Sequence, residues 1–441
     1  MRRELSFRLL RLAVQSAFFA GFVILFLGLA GPAIMPFSRL PLAADPLVAT
    51  AALLYSRGTW LPALLPAAAL ALATLALGRA FCGWACPVGF LNDVVGLARL
   101  GKNRMRFGYL QYGVLAAVLI LSVFTLDILS IADPLVIFQR SAYVAWAGAG
   151  VPAVLLLILL AAVVVQRFWC RALCPLGGLL GVFSIASPFR FRAGDRCVSC
   201  GKCHRVCPMG AIGQDVTKGI KWDPTACTKC LECEKACPKG AISFAPSMPQ
   251  APRVSASRRS FISGAAALGT LAVSRVAASA LSPEKSLIRP PGSLAEAEFN
   301  AACARCESCA KACPNQVIVP AGLDAGLDRA FTPRLDFDAG YCQRCGTCGQ
   351  VCPTGAVISQ PEDKIKIGTA GIDPGLCIAW KDRTRCLICD EVCPVRAIRG
   401  TGRLQPRVDG NTCVGCGLCQ LNCPVEEKAI RVSAAGERRR S

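Results

Sequence analysis

The fold class this sequence predicts is a membrane α domain of four transmembrane helices, built as a duplicated helix pair, followed by small α+β domains repeated along the chain. Three observations predict it: four long apolar stretches in the N-terminal part, a motif that occurs twice at matching places there, and a cysteine pattern that recurs six times after it. Of 441 residues 54% are hydrophobic and 17% charged, and the mean hydropathy is +0.47. Most of that apolarity precedes residue 190, which sets this chain apart from a soluble protein of its length.

A bilayer core takes about 20 apolar residues. Residues 12–31, 59–78, 108–130 and 148–166 meet that length, whereas 42–56 is short, flanked by Pro41, Pro46 and Arg57, and reads as an interfacial or re-entrant piece. Arg2, Arg3, Arg8 and Arg11 precede the first span, Arg79, Arg99, Lys102, Arg104 and Arg106 lie between the second and third, and Arg167 and Arg171 follow the fourth. The opposite loops hold only Arg39, Arg57 and Arg140, offset by Asp45, Asp127 and Asp133. The positive-inside rule then puts both ends of the helical unit, and the first cysteine-rich unit that starts near Arg190, in the cytoplasm.

Spans two and four end alike. Arg79-Ala-Phe-Cys82-Gly-Trp-Ala-Cys86-Pro87-Val-Gly89 and Arg167-Phe-Trp-Cys170-Arg-Ala-Leu-Cys174-Pro175-Leu-Gly177 share R-x-Φ-C-x3-C-P-Φ-G, with Φ apolar or aromatic. Each copy is two spans plus one motif, so a pseudo-twofold along the membrane normal is expected, with the four cysteines together at the cytoplasmic face. They are candidates for a metal centre, for a redox dithiol pair, or for buried thiols packed at a proline-initiated turn.

The other 24 of the 28 cysteines form six runs of the type C-x2-C-x2-C-x3-C. These are Cys197, Cys200, Cys203 and Cys207; Cys227, Cys230, Cys233 and Cys237; Cys303, Cys306, Cys309 and Cys313; Cys342, Cys345, Cys348 and Cys352; Cys377, Cys386, Cys389 and Cys393; and Cys413, Cys416, Cys419 and Cys423. Each ends before a proline, and the fifth carries an insertion after its first cysteine, which could place that ligand differently. Three thiolates on one tight loop suit three irons of a cubane, and the fourth, before proline, reaches the neighbouring cluster. Six [4Fe-4S] clusters on ferredoxin-like α+β units follow, and the chain reads as an electron conductor.

Other readings fare worse. Cysteines this close cannot bridge each other as a disulfide framework, and six repeats of four cysteines before a proline fit a cubane better than structural zinc. Cys200-Gly-Lys-Cys203-His204 matches a haem attachment signature, but haem would take two ligands from a complete run. His204 is the only histidine, which excludes a haem-bearing quinol oxidase and histidine-rich metal catalysis; no P-loop, complete G-x-G-x-x-G or G-x-S-x-G is present.

Between the second and third runs, Ser257-Arg258-Arg259-Ser260-Phe261-Ile262 precedes an apolar stretch to Val273 and then Ala278-Ser-Ala280. This has the parts of a twin-arginine export signal, read by the twin-arginine translocase, which carries folded, cluster-loaded domains. A basic linker with an alanine-rich helix is the plain reading. The domain boundaries are then 1–189 for the helical domain, 190–245 for a two-cluster ferredoxin domain, 246–294 for the linker and 295–441 for a four-cluster domain. Short apolar strands are expected at 316–319, 356–358 and 429–432. The formal charge of +21 is no sign of nucleic acid binding, because six clusters at roughly −2 each remove about twelve charges. The remainder, including the Arg438 to Arg440 tail, suits anionic lipid or an acidic redox partner.

These residues carry a resemblance. Four spans, FCGWACPVG, WCRALCPLG and two runs make the N-terminal half similar to NapH-type membrane ferredoxins of periplasmic nitrate reduction. SRRSFI, four runs and CIAWKDRTRCLICDEVCP make the C-terminal half similar to exported NapG-type partners. Proteins of MauN and MauM type, from methylamine oxidation, look much the same, and the C-x3-C-P repeat also resembles NosR-type and CcoG-type proteins. The resemblance implies that electrons taken from the quinone pool, as quinol, go to a periplasmic redox enzyme, in a bacterial inner membrane with the C-terminal domain periplasmic. It also implies that run three of the chain pairs with run six and run four with run five, so that Cys313 and Cys423 exchange clusters, as do Cys352 and Cys393. Trp84, Trp169, Asp93 and Arg99 are quinone-site candidates by location. A different class of function is a maturation or redox-regulatory protein in which the C-x3-C-P cysteines do the work.

Overall fold

The computed structural model describes residues 2–27, 35–55, 61–96, 110–123, 132–148, 150–215, 219–246, 287–326, 328–400 and 405–440. Two compact units result, one with the N-terminal helices and the first two cysteine runs, the other with the last four runs. Arg258, Arg259 and Ala280 of the expected export signal lie outside the described residues, as do Arg99, Lys102, Arg104 and Arg106.

Helix Arg2–Leu27 contains an apolar segment, Leu9–Leu27, long enough to cross a membrane. The other expected spans are represented among the described residues by shorter apolar stretches, Leu64–Leu77, Leu110–Leu119 and Ala153–Val164. The second and third border residues outside the description, so one helix rather than four reaches spanning length there. The interfacial piece is a turn of helix at Leu40–Ala43 followed by helix Pro46–Tyr55.

The duplication extends further than the cysteine motif. Ala44-Asp45-Pro46-Leu47-Val48 and Ala132-Asp133-Pro134-Leu135-Val136 are identical, and the steps 45 to 133, 79 to 167 and 82 to 170 are all 88 residues. In both copies proline opens a helix, where its missing N–H costs nothing, and aspartate caps it: Asp45 accepts from the Leu47 amide at 2.8 Å, Asp133 from Leu135 and Val136 at 2.8 and 3.1 Å. Leu47, Val48, Leu135 and Val136 are all core residues. The two carboxyl groups are fully buried and hydrogen-bonded to each other, which requires a shared proton. Burial pushes both up, Asp133 to about 6 and Asp45 well above its usual range under the added charge of Asp133.

A raised carboxyl stabilises the fold below its unfolded pKa, and that contribution is lost as pH rises through the folded one. Asp133→Asn keeps a good capping oxygen and needs no shared proton. It should therefore stabilise the protein by about 1–3 kcal/mol at pH 7 and leave it little changed at pH 4, as read by thermal unfolding in detergent at both pH values.

Beyond the helices the same module occurs three times. In the first unit β1 (Phe189–Ala193) pairs antiparallel with β4 (Ile242–Pro246), enclosing two cysteine runs, and between the runs β2 (Ile212–Asp215) and β3 (Gly219–Trp222) form a hairpin with Ile212 opposite Trp222. In the second unit the Ser293–Val357 bridge encloses runs three and four. Between those runs β5 (Ile318–Pro320) pairs with β6 (Pro333–Leu335), Ile318 opposite Leu335. Strands β7 (Thr369–Ile372) and β10 (Ile430–Ser433) enclose runs five and six around the hairpin of β8 (Ile398–Gly400) and β9 (Pro406–Val408). Pairing the outer strands returns the chain to its start, so each module closes after two runs.

The expected strands at 316–319 and 429–432 are present within a residue or two, while 356–358 contributes only the Val357 bridge. In the Arg438 to Arg440 tail Arg438 is exposed, whereas Arg439 and Arg440 are half-buried and tied to the second unit. Arg439 bonds Glu437 at 2.6 Å and reaches Glu296, which Arg289 also holds at 2.6 Å, and the Arg440 amide donates to the Ser293 carbonyl. The tail closes the second unit because Glu296 is its counter-charge.

Candidate iron–sulfur sites

The backbone of the five regular runs repeats in detail. The residues just before and just after the second cysteine are left-handed in each: Ser199 and Gly201, Lys229 and Leu231, Arg305 and Glu307, Arg344 and Gly346, Gly415 and Gly417. Left-handed φ is unfavourable for side chains as large as those of Lys229, Leu231 and Arg305. Its return at the same place shows that the loop geometry, not the local residue, decides it. Alternating left- and right-handed residues turn successive amides toward one concavity, the nest that anions and iron–sulfur centres occupy. Three residues past the fourth cysteine a second left-handed residue recurs in runs one to five, the irregular run included, at Gly210, Gly240, Gln316, Gly355 and Arg396, while Glu426 of run six is not left-handed. The following amide bonds the cysteine sulfur, from Ala211 to Cys207 at 3.3 Å, Ala241 to Cys237 at 3.3 Å and Ala397 to Cys393 at 3.2 Å. Amides donated to a ligand sulfur stabilise its negative charge and tune a cluster's potential.

The fourth cysteine of each run crosses to its neighbour. One cavity of ≈ 320 Å³ is lined by Cys227, Cys230, Cys233 and the Cys207 of the preceding run; another of the same size by Cys197, Cys200, Cys203 and Cys237. In the second unit Cys313 joins Cys342, Cys345 and Cys348 around ≈ 360 Å³, and Cys423 joins Cys377, Cys386 and Cys389 around ≈ 360 Å³. Cys352 stands beside Cys303, Cys306 and Cys309, and Cys393 beside Cys416. The expected nested pairing, run three with six and four with five, is therefore corrected: neighbouring runs pair, because the outer strands close each module after two runs.

The irregular run keeps its first ligand. Its insertion forms a short helix, Ile378–Lys381, that Cys377 begins, and Trp380 donates to the Pro406 carbonyl at 3.1 Å. Leu387, after its second cysteine, is not left-handed, so this loop differs from the other five while Cys377, Cys386 and Cys389 still converge with Cys423.

The residues fit the clusters they imply. Burial, then neighbouring thiols, push Cys303 up to about 12 and Cys419 to about 12; such thiols ionise only when a metal takes the proton's place. Cys200 and Cys345 are the exposed ligands. His204 Nδ1 meets the Ile212 carbonyl at 2.6 Å, inside the ferredoxin module.

In the helical part the structure brings Cys82, Cys86, Cys170 and Cys174 together, each facing others of the four. Cys86 and Cys174 each precede a proline-initiated helix, Pro87–Val95 and Pro175–Phe183. Arg167 is fully buried and bonds both oxygens of Asp93, at 2.7 and 2.6 Å, and the Cys82 carbonyl at 3.2 Å. Arg11 bonds Asp93 at 2.6 Å and Glu232 of the ferredoxin module at 3.1 Å. The module docks here: Trp84 donates to the Lys229 carbonyl at 3.1 Å, Arg79 to the Thr225 carbonyl at 2.8 Å, and Ser184 to the Pro224 carbonyl at 2.6 Å. Asp93 and Trp84, picked out by location as quinone candidates, thus hold the docking, and Arg99 lies outside the described residues. Gln15, which bonds the Gly83 carbonyl, and Gln111, which bonds the Cys170 and Cys174 carbonyls, were missed. A lone glutamine near the start of an apolar helix was their only signal.

Repeated two-cluster modules, the first of them docked on a thiol-rich helical face, define an iron–sulfur electron-transfer protein. A family model described as a 4Fe-4S binding domain matches residues 59–107 and 147–192, and one described as a 4Fe-4S dicluster domain matches 196–241 and 302–356. The methylamine utilization ferredoxin-type protein MauM of Methylobacillus flagellatus is 36% identical over 183 residues, covering 38% of this chain and 77% of that protein. The chain belongs to the MauM-type ferredoxin family. The MauN protein of Methylorubrum extorquens is 31% identical over 188 residues, 41% of this chain and 65% of that protein, and the YccM electron transport protein of Escherichia coli 32% over 152 residues, 31% and 43%.

Proposed function

We propose that this protein is a membrane-bound conductor with six [4Fe-4S] clusters that takes electrons from quinol and passes them to a periplasmic redox enzyme. The observation that carries the reading is the docking of the first ferredoxin module on the helical unit, with Arg11, Arg79, Trp84 and Ser184 all bonded to it. That contact puts the Cys207, Cys227, Cys230 and Cys233 site next to the helices, where a lipid-soluble donor travels. When bound, the clusters supply one-electron steps; the chain's cysteines hold them, its amides set their charge, and its packed walls exclude water. The chain orientation follows the arginine pattern, with the N-terminus and first ferredoxin module cytoplasmic and the C-terminal unit exported through the Arg258-Arg259 signal. Quinol diffusing in the bilayer then serves both faces, since a core of about 30 Å separates them.

Nitrate reductase is one acceptor in this reading. The names of the MauM and MauN relatives favour methylamine utilization as the setting, where the second reading, a maturation or redox-regulatory role for the C-x3-C-P cysteines, also belongs. Anaerobic addition of a quinol to the purified protein should bleach its cluster absorbance. Clusters that dithionite reduces and quinol does not would remove the quinol step. A C-terminal tag found in the periplasm, and lost in Arg258→Lys/Arg259→Lys, is expected; a tag that stays cytoplasmic in both would remove export.

A further inference from the structure

The C-x3-C-P cysteines are not needed for any of the six clusters, yet the structure builds a charged chamber around them. Cys86, Cys170 and Cys174 are buried, Cys82 is half-buried, and none is in a disulfide. Two of them come from each copy of the repeat. Arg79 and Arg167, the first residues of the two motifs, are both at most 1% exposed. They cross between copies: Arg167 bonds the Cys82 carbonyl of the first copy, and the Arg79 guanidinium packs on Gly177 of the second, where a Cβ would come to 2.5 Å from its Nη2.

Their charges are not equally met. Arg167 has Asp93, but the matching position in the second copy is Gly181, so Arg79 has no carboxylate. Its Nη1 reaches the Thr225 carbonyl and, at 3.5 Å, Gln111, while among the described residues Nε and Nη2 meet no oxygen or nitrogen acceptor. The groups facing it are the Cys82 sulfur, the Tyr112 hydroxyl and the Cys174 sulfur. A buried guanidinium with two idle donors is costly unless an anion lies against it. Neutral thiols or a disulfide would leave it unmet. Four thiolates on one zinc or on a cubane, which carries roughly −2 when oxidised, would both supply the charge, and the two segments that bear these cysteines each match a 4Fe-4S binding domain, which favours the cubane.

We propose that Cys82, Cys86, Cys170 and Cys174 together hold a seventh [4Fe-4S] centre, one site shared by the two copies, with Arg79 as its counter-charge. The family match spans each copy separately; the single shared centre comes from the convergence of all four sulfurs. Cys170 packs in the same apolar core as Cys203, Cys207 and Cys233 of the ferredoxin module, and Arg167 faces both Cys170 and Cys230. The seventh centre therefore adjoins the Cys207, Cys227, Cys230 and Cys233 site and should show spin–spin broadening with it.

The test is metal analysis with Mössbauer and EPR spectroscopy on the purified full chain, loaded anaerobically with iron and sulfide. About 28 iron atoms per chain, all in [4Fe-4S] form, are expected. About 24, with these four cysteines open to alkylation or with one zinc per chain, would overturn the proposal. Cys82→Ser/Cys174→Ser should lose about four irons and the broadening while the other clusters remain. Should that variant not fold, Arg79→Gln serves instead: it keeps its iron and lowers the midpoint potential of one centre, because a positive charge that favours the reduced form is gone. An unchanged potential at every centre would also overturn it.

Discussion

Cys313→Ser and Cys345→Ser are each expected to remove about four iron atoms per chain, and the double variant no more than either alone. Both sulfurs line one cavity, so the second change finds nothing left to lose, the non-additivity expected of groups serving one site. Combining Cys313→Ser with Cys419→Ser should instead remove about eight, because Cys419 stands with Cys413 and Cys416 in the next module. Nested pairing predicts the reverse, with Cys313 and Cys419 sharing a cluster. Iron content and the reduced EPR spectrum of the three variants decide between the two.

Asp93→Ala is expected to be the most damaging change away from the cysteines. It strips the carboxylate from Arg167, fully buried, and from Arg11, whose side chain is 7% exposed. Removing one partner of a buried ion pair costs about 3–5 kcal/mol, and here two cations lose it together. Because Arg11 also reaches Glu232, the first ferredoxin module should loosen from the helices, which limited proteolysis would detect beside a lowered melting temperature. Asp93→Asn keeps the hydrogen bonds without the charge and should fall between. Burial alone would raise the Asp93 carboxyl, but Arg167 and then Arg11 outweigh it and hold it below its usual range. A lowered carboxyl stabilises the fold above its unfolded pKa, so this contribution is present at neutral pH and lost as pH falls through the folded value.

The two carboxylate sites act in opposite directions, and neither was visible as such in the sequence. Asp93 was noticed only for lying near a cysteine motif, and Asp45 and Asp133 only as loop charges on one side of the helices. The repeated A-D-P-L-V was there to be read, but a duplicated aspartate has no stated role until the copies are folded together and the two carboxyls meet. The Arg438 to Arg440 tail read as surface charge because Glu296, its partner, is 143 positions away from Arg439.

The sequence by itself determined the chemistry: thiolate spacing within about ten residues is a local property, so the six runs, their proline stops and the duplicated C-x3-C-P motif announced iron–sulfur loops and a helical face with four thiols. The left-handed residues around the second cysteine of each regular run follow from that same spacing. Tertiary structure alone decided which runs share clusters, because that depends on where β1, β7 and Ser293 find their partners, across the whole length of a module. It alone decided that Arg79 lacks the carboxylate Arg167 has. Burial turns one aspartate replaced by glycine, Asp93 against Gly181, into an unmet charge, and burial is a property of the packed chain.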